Sequence, residues 1–305
     1  MVISASRRTD IPAYYSDWFI NRLKSGYVYV RNPFNPKQVS NVILDPKLVD
    51  CIVFWTKDAR PITKKLPILE KLGYRHYGFQ YTITPYDKTV EPGIEDKSEI
   101  VDSFIKLSKL LGPERMVWRY DPIFLDNKFN AAFHFDAFAR YCEMLHSHCK
   151  CVVISFIDSY KHTKKKHDII REDDIAYLSA KISDLCASYG ISVQSCCEKI
   201  IGTQGIKQGA CIDKDFISQI CGFDLQLGVA KNQRPKCLCY ESIDVGAYNT
   251  CFCGCTYCYA NRSIPSVEHY DSSSPLLCSS LSLEDKLYDR AVSSNMVCCE
   301  QLSIF

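Results

Sequence analysis

The chain has 305 residues, of which 47% are hydrophobic and 24% are charged, and its formal net charge is +2. This length suits one large barrel-type domain or two smaller ones. The near-neutral charge gives no strongly basic surface that would indicate a nucleic-acid partner. No apolar stretch reaches the length of a membrane span, and the first residues lack the apolar core of a signal peptide. With 18 cysteines, we therefore expect a cytoplasmic metalloprotein rather than an exported disulfide scaffold.

Short apolar runs predict strands through the first two-thirds of the chain, and segments with helical spacing separate them. The predicted strands are Val2–Ala5, Tyr27–Val30, Cys51–Trp55, Tyr77–Ile83, Met116–Tyr120, Cys151–Ile157 and Ile191–Gln194. The predicted helices are Tyr14–Ser25, Ala59–Leu72, a helix capped by Ser98 and running to Leu111, Phe133–Ser147, Glu172–Tyr189, and a short helix from Asp213 to Cys221.

Repeated βα units indicate a parallel sheet, and seven predicted strands in one run favour a TIM-type (β/α) barrel, complete or partly open. A doubly wound open sheet is the alternative. We assign residues 1–195 to the barrel and residues 196–270 to a cysteine-rich extension that completes it. Residues 271–305 are predicted to hold a linker, a last helix around Leu283–Val292 and a tail. In either architecture the functional site is expected beyond the carboxyl ends of the strands.

The ends of the predicted strands carry charged side chains that are candidates for binding a cofactor or a substrate. These candidates are Arg7, Arg8, Lys57, Arg119 and Asp121. Arg119 alternates with apolar neighbours, so its side chain is predicted to point into the barrel mouth. A charge in that position needs a partner, and Asp10 or Asp121 is the expected one.

The densest group of cysteines lies near the C-terminus. Cys251, Cys255 and Cys258 follow the spacing C-x3-C-x2-C, and Tyr257 precedes the last of them. Three thiolates on one short loop suit an iron–sulfur cluster, and a four-iron cluster bound by three cysteines keeps one iron open for another ligand. Cys253 fits no position of this spacing and is interpreted as a bystander that could substitute as a ligand. A zinc knuckle, or a chance grouping in a cysteine-rich chain, is the alternative.

The spacing and the aromatic residue resemble the radical S-adenosylmethionine (SAM) enzymes, and the run 255–260 is especially similar to spore photoproduct lyase and its relatives. The resemblance implies a 4Fe–4S cluster on the three cysteines, with Tyr257 in the cofactor-binding group and SAM on the open iron. It also implies reductive cleavage of SAM to a 5′-deoxyadenosyl radical, with electrons from a flavodoxin or ferredoxin. Most radical SAM enzymes carry the motif after their first barrel strand, whereas here about 250 residues precede it.

Nearly the whole chain resembles a family classified as a domain of unknown function, whose cysteine cluster lies at the C-terminal end. The segments that carry this resemblance are Ser6–Pro12, Asn32–Pro33, Phe54–Lys57, Trp118–Pro122, Gln233–Cys239 and Cys251–Asn261. The resemblance implies no particular reaction, so the hydrogen atom that would be abstracted stays open.

A second set of cysteines precedes the motif. Cys196, Cys211, Cys237 and Cys239 could close a four-cysteine site that binds an auxiliary iron–sulfur cluster or a structural zinc. Cys197 competes with Cys196 for the first position. The alternative is that these are buried cysteines that act as small hydrophobic residues, as we expect for Cys142, Cys186 and Cys221.

Two segments bear on possible partners. Gln301–Phe305 resembles the short peptide by which bacterial DNA-metabolism proteins bind the replication sliding clamp, although a tail that packs on its own core is the slightly favoured interpretation. The basic run Lys161–His167 could contact phosphate in a nucleic acid, but such runs are usually solvated loops. A DNA-related substrate is therefore one prediction, and a small molecule or a peptide is another.

Two other classes of function stay open. A non-catalytic iron–sulfur or zinc protein, acting as a redox relay or sensor, would use the same cysteines without cleaving SAM. A metal-dependent barrel hydrolase ranks last, because the sequence shows no recognisable set of His and Asp ligands.

Overall fold

The computed structural model describes residues 1–157, 169–196, 205–231, 233–234, 237–262, 265 and 270–297. Within these ranges, none of the helices combines the length and the apolar character that crossing a bilayer requires. The strands, in chain order, are Val2–Ala5 (β1), Tyr27–Arg31 (β2), Gln38–Ile43 (β3), Cys51–Thr56 (β4), Tyr77–Thr82 (β5), Met116–Ile123 (β6), Cys151–Phe156 (β7), Ser192–Cys196 (β8), Ile206–Gly209 (β9), Ile243–Asp244 (β10) and Lys286–Asp289 (β11).

Eight of the described strands form one sheet, called here the main sheet, in the order β10-β1-β4-β5-β6-β7-β8-β9. Every pair of neighbours in it is parallel. The predicted α/β class with a parallel sheet is therefore confirmed. The strand order follows the chain except for β10, which lies outside β1, and the two edge strands β10 and β9 do not pair with each other among the described residues.

The helices connect successive strands of the main sheet. They are Ile11–Tyr14 (α1), Ser16–Ser25 (α2), Arg60–Thr63 (α3), Leu66–Lys71 (α4), Lys97–Leu111 (α5), Ala131–Leu145 (α6), Glu172–Tyr189 (α7) and Lys214–Cys221 (α8). Local signals set their ends: the Asp213 side chain accepts a hydrogen bond from the Phe216 amide at the start of α8, and Gly190 ends α7 in the left-handed conformation.

Alternate residues of the main-sheet strands enter two separate cores. Ile3, Phe54 and Trp118 belong to the larger core, into which the apolar faces of α1–α7 also pack. Val53 and Val117 point to the opposite face and join a smaller core, in which α8 and the chain around Cys239 take part. The sheet is thus buried on both faces, as expected for parallel strands.

A small sheet lies apart from the main sheet and corrects two of the predictions. Within the described residues its order is β11-β3-β2, with β2 and β3 antiparallel. The predicted strand at Tyr27 therefore belongs to a hairpin and not to a barrel unit. The helix predicted around Leu283–Val292 is wrong: the segment contains β11, which hydrogen-bonds to β3 and leaves all four of its side chains exposed.

Several predicted helix boundaries also change. The helix predicted at Ala59–Leu72 divides into α3 and α4, and Pro67 lies in the first turn of α4, where its missing amide hydrogen is tolerated. The predicted helix at Tyr14–Ser25 begins with a separate turn, α1. Asp96 rather than Ser98 caps α5, because its carboxylate accepts the Ser98 amide hydrogen.

Candidate functional site

The carboxyl ends of the parallel strands meet at one edge of the main sheet, and the candidate residues gather there. Arg7 follows β1, Lys57 follows β4, Arg119 of β6 pairs with Thr82 at the end of β5, and Asp121 lies two residues later in β6. The loop that carries the cysteine motif follows β10 at the same edge. The structure therefore brings to one edge residues that lie up to about 250 positions apart in sequence.

The cysteine loop, residues 251–258, alternates between buried and half-buried residues. Cys251, Cys253 and Cys255 are buried, whereas Cys258 is half-buried. The Cys253 thiol hydrogen-bonds to the thiols of both Cys251 and Cys255, and these contacts and burial raise its pKa well above the usual range. Burial also raises the pKa of Cys258 to about 11. Cys253, which fits no position of the motif, thus lies between two cysteines that do.

Backbone contacts hold the cysteine loop against the loop that follows β5. The Gly93 amide donates to the Cys253 carbonyl oxygen over 3.0 Å, and the Thr256 amide donates to the Val90 carbonyl oxygen over 2.9 Å. A side chain at Gly93 would lie 2.2 Å from the Phe252 carbonyl oxygen. Glycine is therefore required at position 93 for the two loops to approach this closely.

A buried carboxylate, Glu91, joins the two loops. Its side chain has no solvent exposure and contacts Lys57 at 2.9 Å, Thr84 at 2.7 Å, and also Lys97 and the Tyr257 hydroxyl. Burial alone would raise the pKa of Glu91, but the charges of Lys57 and Lys97 outweigh burial and lower it to about 2. Two cations thus face one carboxylate beside the cysteine loop.

The positive charge of Lys57 reaches the cysteines themselves. A hydrogen bond with Cys253 and the Lys57 ammonium together lower the pKa of Cys255. The ammonium also lies 5.7 Å from the centre of the Tyr257 ring. This arrangement favours a thiolate at Cys255, which is the form that binds a metal.

Asp10 fixes the start of the segment that carries Lys57. Its carboxylate accepts hydrogen bonds from the Thr56 hydroxyl at 2.8 Å and from the Lys57 amide at 2.7 Å. It also caps α1 through the Ala13 amide. Burial raises the pKa of Asp10 to about 7 despite these donors. Asp10 therefore links the loops after β1 and β4.

Asp244, the last residue of β10, organises the two arginines that follow β1. It lies 3.8 Å from Arg7 Nε and 3.9 Å from Arg8 Nε, and it accepts a hydrogen bond from the Arg7 amide at 2.8 Å. The Ser4 and Ser6 hydroxyls donate to the same carboxylate. The Arg7 and Arg8 side chains keep 25% and 20% of their exposure, so both can reach a bound ligand.

Arg119 lies on the face of the smaller core, and its partner is Asp121 rather than Asp10. The two side chains form an ion pair, and Arg119 also donates to Gln80 at 3.2 Å. The guanidinium lies 5.1 Å from the centre of the Trp55 ring. This pairing confirms the expectation that Arg119 needs a carboxylate nearby.

The second set of cysteines also comes together in part. The Sγ atoms of Cys196 and Cys211 lie 2.9 Å apart, and the Cys211 amide donates to Cys239 Sγ at 3.2 Å. Cys237 is half-buried and lies close enough to affect the Cys239 thiol electrostatically. Three of the four predicted ligands are therefore in direct contact.

Within the described ranges, no group of three or more Cys, His, Asp or Glu side chains is already arranged to hold a metal ion. The thiols contact one another instead, and the 2.9 Å between Cys196 and Cys211 is shorter than ligand spacing allows. Zinc–sulfur bonds of about 2.3 Å in a tetrahedral site place two sulfurs about 3.8 Å apart. The donor atoms and the nearby cations nevertheless suit a thiolate-bound metal, with separations that change by about 1 Å.

Sequence reasoning missed three residues of this edge: Asp244, Glu91 and Lys97. The only local signal for Asp244 is its place just before the cysteine motif, and Glu91 lies in a polar loop without periodicity. Asp244 and Glu91 matter through contacts across long stretches of chain, and Lys97 matters through Glu91. Three other predictions lie outside the described residues, namely Cys197 as a ligand, the basic run 161–167 and the tail 301–305.

Among solved structures, the chain is similar to a protein described as a "putative alpha-L-fucosidase" from Bacteroides thetaiotaomicron VPI-5482, with 11% sequence identity. The match covers 58% of this chain and 73% of that chain, and its TM-score of 0.26 is too low to carry an argument. No curated protein matches the chain. The family model described as "Domain of unknown function (DUF1848)" matches residues 2–260, so the chain belongs to the DUF1848 family.

Proposed function

We propose that the protein is a radical SAM enzyme and that Cys251, Cys255 and Cys258 hold its 4Fe–4S cluster. The position of the cysteine loop in the sheet carries this proposal. The loop is late in sequence, but it follows β10, which precedes β1 in the spatial order of the main sheet. Most radical SAM enzymes carry their motif after the first barrel strand. The loop after β10 therefore supports the proposal by its place in the sheet, although the motif lies late in the sequence.

The residues around the loop would keep the cluster in one position. Backbone hydrogen bonds to Val90 and Gly93 fix the loop, and the buried Tyr257 side chain anchors it through Glu91. When bound, the cluster and SAM would supply one-electron cleavage of the SAM sulfonium. Lys57 would offset the negative charge that builds up on the thiolates and the cluster.

The partly exposed arginines at the carboxyl edge of the main sheet suit an anionic ligand. Arg7 and Arg8 share one carboxylate, Asp244, so this group retains positive charge at a partly exposed surface. We assign to these two arginines the binding of the SAM carboxylate or of an anionic group on the substrate. Arg119 and Asp121 neutralise each other in the adjacent smaller core, where they would orient neighbouring side chains rather than bind the ligand.

The decisive experiment measures 5′-deoxyadenosine. Protein reconstituted with iron and sulfide under anaerobic conditions is reduced with dithionite, or with a flavodoxin or ferredoxin, and given SAM. The proposal predicts 5′-deoxyadenosine from the wild type and none from Cys255→Ser. Intact SAM in the presence of a fully reduced cluster would instead support a non-catalytic iron–sulfur relay or sensor.

A further inference from the structure

A second group of buried thiols lies outside the cysteine loop, on the face of the main sheet opposite α1–α7. Cys196 ends β8, Cys211 follows β9, and Cys239 precedes β10. All three belong to the smaller core and are less than one-tenth exposed. The Cys196 and Cys211 thiols are in contact, and Cys239 Sγ accepts the Cys211 amide hydrogen, although the three residues come from separate segments of the chain.

Charged neighbours distinguish this group from ordinary cysteines in an apolar core. The Arg119 guanidinium lies 3.7 Å from Cys211 Sγ, and Arg7 faces both Cys211 and Cys239. The Cys211 amide also donates to Cys239 Sγ at 3.2 Å, so the thiols and the guanidinium group form one buried cluster. A thiolate at Cys211 would lie beside these guanidinium groups, in addition to their carboxylate partners Asp121 and Asp244.

We propose that Cys196, Cys211, Cys237 and Cys239 form a second, thiolate-ligated metal centre that is independent of the cysteine loop. Thiolates are soft ligands that bind zinc or an iron–sulfur cluster, and four of them complete either kind of site. Binding releases the thiol protons and leaves the centre with a net negative charge, which the excess positive charge of Arg7 and Arg8 over Asp244 would partly offset.

The location gives this centre a structural role. Cys196 and Cys211 belong to the edge of the main sheet formed by β8 and β9, whereas Cys239 leads into β10 at the other edge. The Tyr240 amide also donates to the Ile212 carbonyl oxygen at 3.0 Å. A metal at this point would tie together the two edges that do not pair within the described residues.

The test is metal analysis of the Cys251→Ala/Cys255→Ala/Cys258→Ala variant, purified anaerobically from medium with added iron and zinc. The proposal predicts one metal centre per chain: either zinc without sulfide, or iron with acid-labile sulfide. Adding Cys211→Ala and Cys239→Ala should remove it. Adding Cys142→Ala and Cys186→Ala, another contacting pair of thiols, should leave it in place.

Circular dichroism establishes that each variant is folded. A folded triple variant that contains no metal, and develops no thiolate-to-cobalt absorption when Co²⁺ is added, would overturn the proposal. A Cys196–Cys211 disulfide in anaerobically purified protein would also overturn it. If the triple variant does not fold, the comparison moves to single variants: Cys211→Ser should lose one metal centre relative to Cys142→Ser, and equal metal contents would contradict the proposal.

Discussion

Lys57 and Glu91 form a buried ion pair, with 2.9 Å between Nζ and Oε1, where the loops after β4 and β5 meet the cysteine loop. The Glu91 side chain is fully buried, and only 14% of the Lys57 side chain is exposed. Tyr257 donates to the same carboxylate, so the pair is part of the support of the proposed cluster site. Its contribution to stability and to cluster binding can be measured separately.

Replacing Glu91 by glutamine should destabilise the protein by about 3–5 kcal/mol, because Lys57 and Lys97 would be left in a buried site without a compensating anion. Urea unfolding of the metal-free protein measures this loss. The matched control is Glu284→Gln, which breaks an exposed pair with Lys37. The control should cost no more than about 1 kcal/mol, and equal losses for both variants would contradict a structural role for the buried pair.

The same carboxylate should make stability depend on pH. The pKa of Glu91 is about 2 in the folded protein, against a usual value of 4.5. A carboxyl group with a lowered pKa contributes stability that is complete above about pH 4.5 and disappears as the pH falls toward 2. The full effect corresponds to about 3 kcal/mol. The stability difference between wild type and Glu91→Gln should therefore be constant from pH 8 to 5 and narrow below that. A difference that widens toward pH 3 would contradict the assignment.

Gly93→Ala should displace the cysteine loop. The added methyl group would lie 2.2 Å from the Phe252 carbonyl oxygen and 2.9 Å from that of Cys253. We expect a loss of about 1–3 kcal/mol in stability, together with a clear fall in bound iron after reconstitution. Gly190→Ala is the control, because Gly190 has a positive φ but no heavy atom within 4 Å of the added Cβ. If both variants retain the wild-type iron content, the contact at Gly93 does not position the loop.

Serine variants of the cysteine loop test which thiols bind the cluster, and Cys253 is the informative position. It contacts Cys251 and Cys255, but the spacing of the motif assigns it no iron. Cys253→Ser should keep most of the iron and sulfide, whereas Cys251→Ser, Cys255→Ser and Cys258→Ser should each lose most of both. Iron and sulfide determination after parallel reconstitution checks this. If Cys253→Ser lost as much iron and sulfide as Cys255→Ser, the assignment of the cluster ligands from the motif spacing would be contradicted.

Local sequence patterns predicted most of the main sheet, because its strands are apolar runs bounded by turns. The strand at Cys51, for example, is buried on both faces and stands out from its polar surroundings. The strands missed by sequence reasoning have no such pattern. β10 has only two residues, and β11 exposes every side chain, so neither shows the apolar run of a buried strand.

The candidate site was predictable only where its signal is local. The motif cysteines lie within eight residues, and the charged strand ends follow recognisable strands. Asp244 reaches Arg7 across 237 residues, and Glu91 reaches Tyr257 across 166 residues. Such partnerships depend on the parallel topology that brings the strand ends together, and no local pattern encodes them.

Electron paramagnetic resonance of the reduced protein, with and without SAM, tests the central claim most directly. If Cys251, Cys255 and Cys258 bind a four-iron cluster with one open iron, dithionite should produce a reduced-cluster signal whose shape changes when SAM is added. The change should persist in Cys211→Ser, which alters only the second group of thiols. A reduced-cluster signal that is unaffected by saturating SAM, or a reconstituted protein with no cluster signal, would contradict the account.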